Sequence, residues 1–116
     1  MSVLPWLSWF ISLGCMLIGA FALIAPRPAS VMFGLPDNTA WVQAAGARDI
    51  FIGLAVMLVF MHSHFHLLGE VCAATAVVPA CDAALTYVHG AKKHALAHLS
   101  GMVAVFVYGL LLIWLN

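Results

Sequence analysis

Residues 41–61 read WVQAAGARDIFIGLAVMLVFM, and this stretch decides the class of fold. A helix needs about 20 mostly apolar residues to cross the hydrocarbon core of a bilayer, and the stretch has that length. Its only ionised side chains are Arg48 and Asp49, which stand next to each other. We therefore expect a transmembrane helix that carries a charge pair into the membrane, where charged groups are costly and often mark a functional site.

Three more stretches of similar length and apolar character lie on either side of it. The first ends at Pro26 and Pro28, because proline interrupts a helix, and the third ends before Gly90, a residue type common after a helix. The sequence therefore predicts an all-α fold, a four-transmembrane-helix bundle with short loops that forms a single integral membrane domain over residues 1–116. The predicted spans are residues 4–25, 41–61, 66–88 and 94–115.

The composition of the whole chain also indicates a membrane protein. Of the 116 residues, 66% are hydrophobic and only 7% are charged, whereas an ordinary soluble domain is about 45–50% apolar and about 25% charged. Four basic and four acidic residues give a net charge of zero. This balance excludes nucleic acid as a main partner, because no basic surface is available to neutralise phosphates. The expected partner is the membrane lipid bilayer itself.

The basic residues of the short loops indicate how the protein is oriented. Arg27 lies between the first two spans, and Lys92 and Lys93 lie between the last two. Since basic loops tend to stay in the cytoplasm, we expect these two loops on the cytoplasmic side and both termini on the other side. The sequence is compatible with a bacterial inner membrane and with a eukaryotic endomembrane.

Polar residues of three different spans are predicted to lie at a similar depth. Arg48 and Asp49 lie about 10 Å in from the first loop, while Asp82 and His98 lie about 10 Å and about 6 Å in from the third. Because the first and third loops are on the same side, we expect these side chains to meet. The candidate catalytic residues are Asp82, Asp49, His98 and Arg48.

Helical spacing adds further polar side chains to the same faces. Thr75 and Thr86 share a face of the third span with Asp82. Tyr108 lies close to the line of His98 along the fourth span. We predict that the two threonines and this tyrosine bind the substrate.

Two interpretations of the cluster stay open. In the first, Arg48 pairs with Asp82 or Asp49 only to hold helices together, as buried ion pairs often do, and His98 is a hydrogen-bonding partner of that pair. In the second, Asp82 or Asp49 acts as an acid or a base, and His98 relays a proton. Arg48 would then hold the charge state of a carboxylate or bind an oxyanion.

A second group of polar residues follows the second span. His62, His64 and His66 alternate in a short loop, and Glu70 comes four residues after His66. Histidine-rich tracts can bind metals, but alternating histidines at the water interface are more often solvated, so we predict no metal site. Because the sequence also lacks a nucleotide-binding loop or another cofactor motif, we expect no cofactor.

Several short motifs together resemble one family of small membrane proteins. They are GLP at 34–36, ARDIFIGL at 47–54, PACDAAL at 79–85, and the pair His89-Gly90 followed by a span that contains His98. From about residue 25 onward, the chain resembles the family described as domain of unknown function 4267. The resemblance implies a four-helix integral membrane protein and supports the same four polar residues, but it supplies no reaction. The histidine-rich loop and Glu70 depart from the family pattern.

These residues favour an enzyme over two other classes of membrane protein. We expect acid–base chemistry on a lipophilic small molecule that enters from the bilayer, by isomerisation, epoxide opening or cyclisation. The alternatives are a proton-coupled binding or transport protein, and a structural or accessory subunit in which the cluster only fixes helix packing. Four short helices leave little room for a large cavity, so we also expect that two copies of the chain form a homodimer.

Overall fold

The chain folds as a bundle of helices, and the computed structural model describes residues 3–116 of it. That part of the chain contains no strand, which confirms the predicted all-α fold. The 3-10 helix Leu4–Leu7 runs directly into α1. The helices are α1 (Ser8–Ile24), α2 (Pro26–Phe33), α3 (Thr39–Met61), α4 (Phe65–Thr75), α5 (Val77–His89) and α6 (Lys92–Leu115).

Within residues 3–116, four helical segments are long and apolar enough to cross a bilayer, as predicted. They are Leu4–Ile24, Thr39–Met61, Phe65–His89 and Lys92–Leu115. Their outer surfaces carry large exposed hydrophobic side chains, such as Leu17, Phe51, Leu58 and Leu96. Such surfaces are stable against lipid tails rather than water, so the bundle is membrane-embedded.

The third segment consists of two helices that meet at Ala76. Its amide donates to the carbonyl of Ala73, three residues back, at 3.2 Å. Pro79 contributes to the interruption because it has no amide hydrogen to donate to the carbonyl of Thr75. In membrane helices such breaks are tolerated where neighbouring groups satisfy the backbone. The break lies beside the cavity described below.

The short helix α2 closes the end of the bundle that holds the first and third loops. It begins with Pro26 at its first position and ends at Gly34, whose φ of 91° is a left-handed conformation that suits glycine. The carbonyl of Gly34 accepts a hydrogen bond from the amide of Ala91 at 2.9 Å. This bond ties the first loop to the third, so the two loops lie together as the orientation argument expects.

The bundle is built from two closely packed groups of helices. In the first group, α1 lies along α3, and a Cβ added to Gly46 would meet the carbonyl oxygen of Gly19 at 2.7 Å. In the second group, α4 and α5 lie along α6, and a Cβ on Gly69 would meet the carbonyl oxygen of Gly109 at the same distance. Small residues of this kind let helix backbones approach in lipid.

The two groups contact each other much less than the helices within each group. They meet mainly where α3 touches α4, whereas α1 and α6 barely touch along their described lengths. The space left between the groups is a cavity inside the bundle.

Candidate functional site

An ion-pair cluster joins α3 to α5. Two nitrogens of the Arg48 guanidinium donate to the two carboxylate oxygens of Asp82, Nη1 to Oδ1 at 3.1 Å and Nη2 to Oδ2 at 3.0 Å. The same guanidinium donates from Nε and Nη2 to Oδ1 of Asp49, at 3.2 and 3.1 Å. The predicted meeting of these three side chains is therefore found, and four of the five N–H groups of Arg48 are engaged. His98 is expected in the same cluster from the sequence, but among the described residues it makes no hydrogen bond to the other three.

The two carboxylates of this cluster have different surroundings. The side chain of Asp82 is only 6% exposed and both of its oxygens accept from Arg48. Asp49 is 16% exposed, and its Oδ2 accepts no hydrogen bond from any described residue. Since the described residues include no buried side-chain oxygen without a partner, this Oδ2 must be accessible. Asp49 thus has one free acceptor oxygen, and its side chain lines the cavity between the two groups of helices.

His98 lies on α6 and is oriented by a backbone carbonyl of α2. Its Nε2 is 3.0 Å from the carbonyl oxygen of Phe33, and the two rings are 4.4 Å apart between centroids. Because a carbonyl can only accept, Nε2 must carry the hydrogen, and Nδ1 of the neutral ring is left as an acceptor. Nδ1 has no partner among the described residues. The neutral ring of His98 therefore has a fixed tautomer, with Nδ1 as its free acceptor.

Both of these free atoms belong to residues that line the same cavity. Its volume is about 730 Å³, within the usual range for small-molecule sites. Asp49, Asp82 and His98 line one end, and apolar side chains line most of the rest. The cavity combines an apolar body with a few polar groups at one end, which is the typical form of a ligand site.

A gap between α1 and α6 opens this cavity toward the surrounding lipid, and we call it the lateral opening. It is bordered by Gly14 on α1 and Gly101 on α6, where an added Cβ would meet no atom within 4 Å. Phe10, which also lines the cavity, is 75% exposed on the outer surface. The lateral opening therefore lies between two helices that are long and apolar enough to span a bilayer.

Tyr108 lies at the far end of the cavity from the carboxylates. Its hydroxyl donates to the carbonyl oxygen of Leu4 at 2.9 Å and lies 3.3 Å from Oγ of Ser8. Oγ of Ser8 in turn donates to the carbonyl of Pro5. The hydroxyl thus joins α6 to the first turns of the chain, while the tyrosine ring contributes to the cavity wall.

The two threonines predicted to bind substrate are placed differently. Thr75 lines the cavity, and its Oγ1 donates to the carbonyl of Cys72 at 2.7 Å. Thr86 is fully buried and is not among the lining residues; its Oγ1 donates to the carbonyl of Asp82 at 2.7 Å. The roles of Thr75, Thr86 and Tyr108 in binding stay predictions.

The part that α2 takes in this site is not evident from the sequence. The apolar residues 29–34 suggest a segment on the membrane surface, yet Met32 and Phe33 line the cavity and Phe33 orients His98. The one signal in the sequence is the amphipathic pattern of α2, whose Ala29 and Phe33 pack toward α1 and α3.

Cys15 also lines the cavity, and all three cysteines are free.

The histidine-rich loop lies far from this site, next to the C-terminus. Nε2 of His66 is 3.5 Å from Oε1 of Glu70, and both side chains are more than half exposed. His62 bonds through Nδ1 to the carbonyl of Leu58 at 2.8 Å. Within residues 3–116, no group of three or more histidine, cysteine or acidic side chains is arranged to hold a metal ion.

Comparison with known proteins gives a family and no closer relative. The family model described as "Domain of unknown function (DUF4267)" matches residues 12–112, which is most of the chain. No curated protein and no solved structure matches the chain. The chain therefore belongs to the DUF4267 family, and the resemblance seen in the sequence motifs is confirmed.

Proposed function

We propose that this member of the DUF4267 family is a membrane-embedded enzyme that performs acid–base chemistry on a lipophilic small molecule. One observation carries the proposal: Oδ2 of Asp49 and Nδ1 of His98 are both without a partner among the described residues and belong to side chains that line one cavity. An acid and a base that face a common substrate are what a proton-shifting reaction needs.

The four polar residues would have separate roles. Asp82 accepts two hydrogen bonds from Arg48 and holds it in place, so these two are positioning residues. Asp49, when protonated, leaves Arg48 and Asp82 as a neutral pair and gives its proton to the substrate. His98 removes a proton from the substrate through Nδ1, and the proton returns to Asp49 before the next turnover. The substrate leaves as an isomer, with no atoms gained or lost.

The lateral opening supports a substrate that comes from the bilayer. Apolar side chains line most of the cavity, and Gly14 and Gly101, which border the lateral opening, lie within two of the spanning helices rather than in a loop. A hydrocarbon-rich molecule gains free energy from such a surface through burial of its apolar area. The site therefore suits a terpenoid, a sterol-like molecule or another lipid with one reactive polar group. A homodimer stays a prediction, and the cavity does not require one, because a single chain supplies all of its lining residues.

Exchange with deuterated water tests the proposal even while the substrate is unidentified. The purified protein in lipid nanodiscs is incubated in D₂O with a total lipid extract of its native membrane, and lipids that gain deuterium or change isomer are identified by mass spectrometry. The wild-type protein should label a defined component. Asp49→Asn and His98→Gln should lower the labelling rate by about 10²–10⁴-fold, the usual contribution of a general acid or base.

The chain offers matched controls for both substitutions. Asp37→Asn removes a carboxylate from the exposed first loop, where the positive φ of 66° is one that asparagine tolerates well. His89→Gln removes an exposed histidine that does not line the cavity. Both controls should label at the wild-type rate. Labelling that is absent from the wild-type protein, or equal in all five proteins, would contradict the proposed enzyme.

A further inference from the structure

The charge balance at the polar end of the cavity indicates which kind of reacting group it accepts. Two carboxylates share one guanidinium, so the cluster of Arg48, Asp49 and Asp82 has one net negative charge when both acids are ionised. Within residues 3–116, no lysine or arginine side chain lines the cavity. A negative charge in a medium of low dielectric constant strongly favours a nearby positive one.

From this we infer, on the basis of the proposed function, that the substrate becomes positively charged as it reacts, and that the cavity binds lipophilic amines as mimics of that charged state. The nitrogen would lie against Oδ2 of Asp49, and the hydrocarbon chain would extend toward Tyr108. Enzymes bind analogues of a charged transition state more tightly than the neutral substrate.

An aromatic side chain at the polar end of the cavity provides a second reason. Phe33 lines the cavity beside His98, and the face of an aromatic ring attracts a nearby cation by about 0.5–2 kcal/mol. The net negative charge of the cluster would instead destabilise an anionic intermediate such as an enolate. Arg48 has only one N–H group left for an oxyanion, because the other four donate to the carboxylates, and it is not among the residues that line the cavity.

A positively charged intermediate favours two of the reactions named above, epoxide opening and cyclisation. In an epoxide opening, Asp49 transfers its proton to the epoxide oxygen as the C–O bond breaks, and the bonding electrons stay on that oxygen. The carbon left behind carries the positive charge. Nδ1 of His98 then takes a proton from the neighbouring carbon, and those C–H electrons form a double bond. The product is an allylic alcohol, an isomer of the epoxide. A cyclisation that begins with protonation of a double bond follows the same balance.

Binding of a matched series of ligands tests the inference independently of turnover. The probes are N,N-dimethyldodecylamine, the branched alkane in which a CH group replaces the nitrogen, and dodecanoate. Each is titrated calorimetrically into nanodiscs of zwitterionic lipid that contain the wild-type protein, Asp49→Asn or Asp37→Asn, with empty nanodiscs as the blank for partition into lipid. Circular dichroism checks that each variant is folded.

The amine should bind the wild-type protein about 10- to 100-fold more tightly than the alkane does, the range expected for a charge-assisted contact. Asp49→Asn should remove that advantage, Asp37→Asn should keep it, and dodecanoate should bind more weakly than the amine. Equal binding of amine and alkane, or an advantage that persists in Asp49→Asn, would overturn the inference.

The two proposals fail in different ways. If deuterium labelling depends on Asp49 but the amine has no advantage, the enzyme stands and the cationic reaction is wrong. If the amine binds as expected but no lipid is labelled, the cationic site stands and the enzyme is wrong; the protein would then be a binding protein for lipophilic amines.

Discussion

Replacement of Arg48 by methionine should destabilise the bundle strongly, and the structure gives the size of the effect. The substitution keeps a long apolar side chain but removes the guanidinium that joins α3 to α5. Asp82, which is 6% exposed, would lose the donors to both of its oxygens. A buried carboxylate without partners is far more costly than a missing surface contact.

Loss of one partner of a buried ion pair costs about 3–5 kcal/mol. The 31% exposure of the Arg48 side chain lets water reach part of the cluster, so we expect a loss near the lower end, about 3 kcal/mol. The second substitution Asp82→Leu should restore most of that loss, because it removes the unpaired charge. Asp49 would remain, but its accessible Oδ2 allows it to take up a proton.

The measurement is a double-mutant cycle on the free energy of unfolding. Arg48→Met, Asp82→Leu and the double variant are unfolded by SDS in mixed micelles and followed by circular dichroism. The coupling between the two sites should be about 2–3 kcal/mol, in the upper part of the range for directly bonded residues. Lys93→Met, which removes an exposed cation from the start of α6, should change stability by less than about 0.5 kcal/mol.

A loss below about 1 kcal/mol for Arg48→Met would mean that the pair behaves as an exposed one. A coupling near zero would mean that Arg48 and Asp82 do not depend on each other. Either result would refute the enclosed cluster on which both proposals depend.

Four further substitutions test the packing of the helices. Gly14→Ala should raise the free energy of unfolding by up to about 1 kcal/mol, because the site is open and alanine favours a helix. Gly109→Ala should lower it by about 1–3 kcal/mol, because the added Cβ would meet backbone atoms of α4. SDS unfolding measures both changes. Tyr108→Phe should cost about 0.5–1.5 kcal/mol in the same assay through loss of its hydroxyl bonds. Gly101→Leu should fill the lateral opening and weaken amine binding in calorimetry while the protein stays folded, and Val103→Leu, on the exposed opposite face of the same helix, should leave binding unchanged.

The sequence predicted the helical architecture well because lipid restricts the choice of structure. Backbone groups in a bilayer must be satisfied within a helix or a closed barrel, so apolar length alone identifies the spanning segments. The break at Ala76 was not predicted, although Pro79 removes a donor from that turn. Whether a proline interrupts a helix or only bends it depends on how the neighbouring helices pack, and the sequence alone does not give that packing.

The meeting of Arg48, Asp49 and Asp82 could be predicted from depth and helical face, because both follow from simple helix geometry. The cavity could not, since its size depends on how the two groups of helices separate. Nor could the orientation of His98, because its partner is a backbone carbonyl at Phe33, far away in the sequence. Every residue supplies a carbonyl, so no sequence pattern marks the one that is used.

Asp49 distinguishes a chemical cluster from one that only holds helices together. Arg48 and Asp49 are neighbours on α3, so the bonds between them connect no two helices. Of the ion pairs in this cluster, the one between Arg48 and Asp82 joins α3 to α5, and a second acid adds a like charge that packing does not need. Asp49→Asn should therefore keep the unfolding free energy within about 1 kcal/mol of wild type while it removes labelling and amine selectivity. Asp82→Asn should lower stability instead, because it breaks the connection between helices. If Asp49→Asn proved as destabilising as Asp82→Asn, the cluster would be structural as a whole.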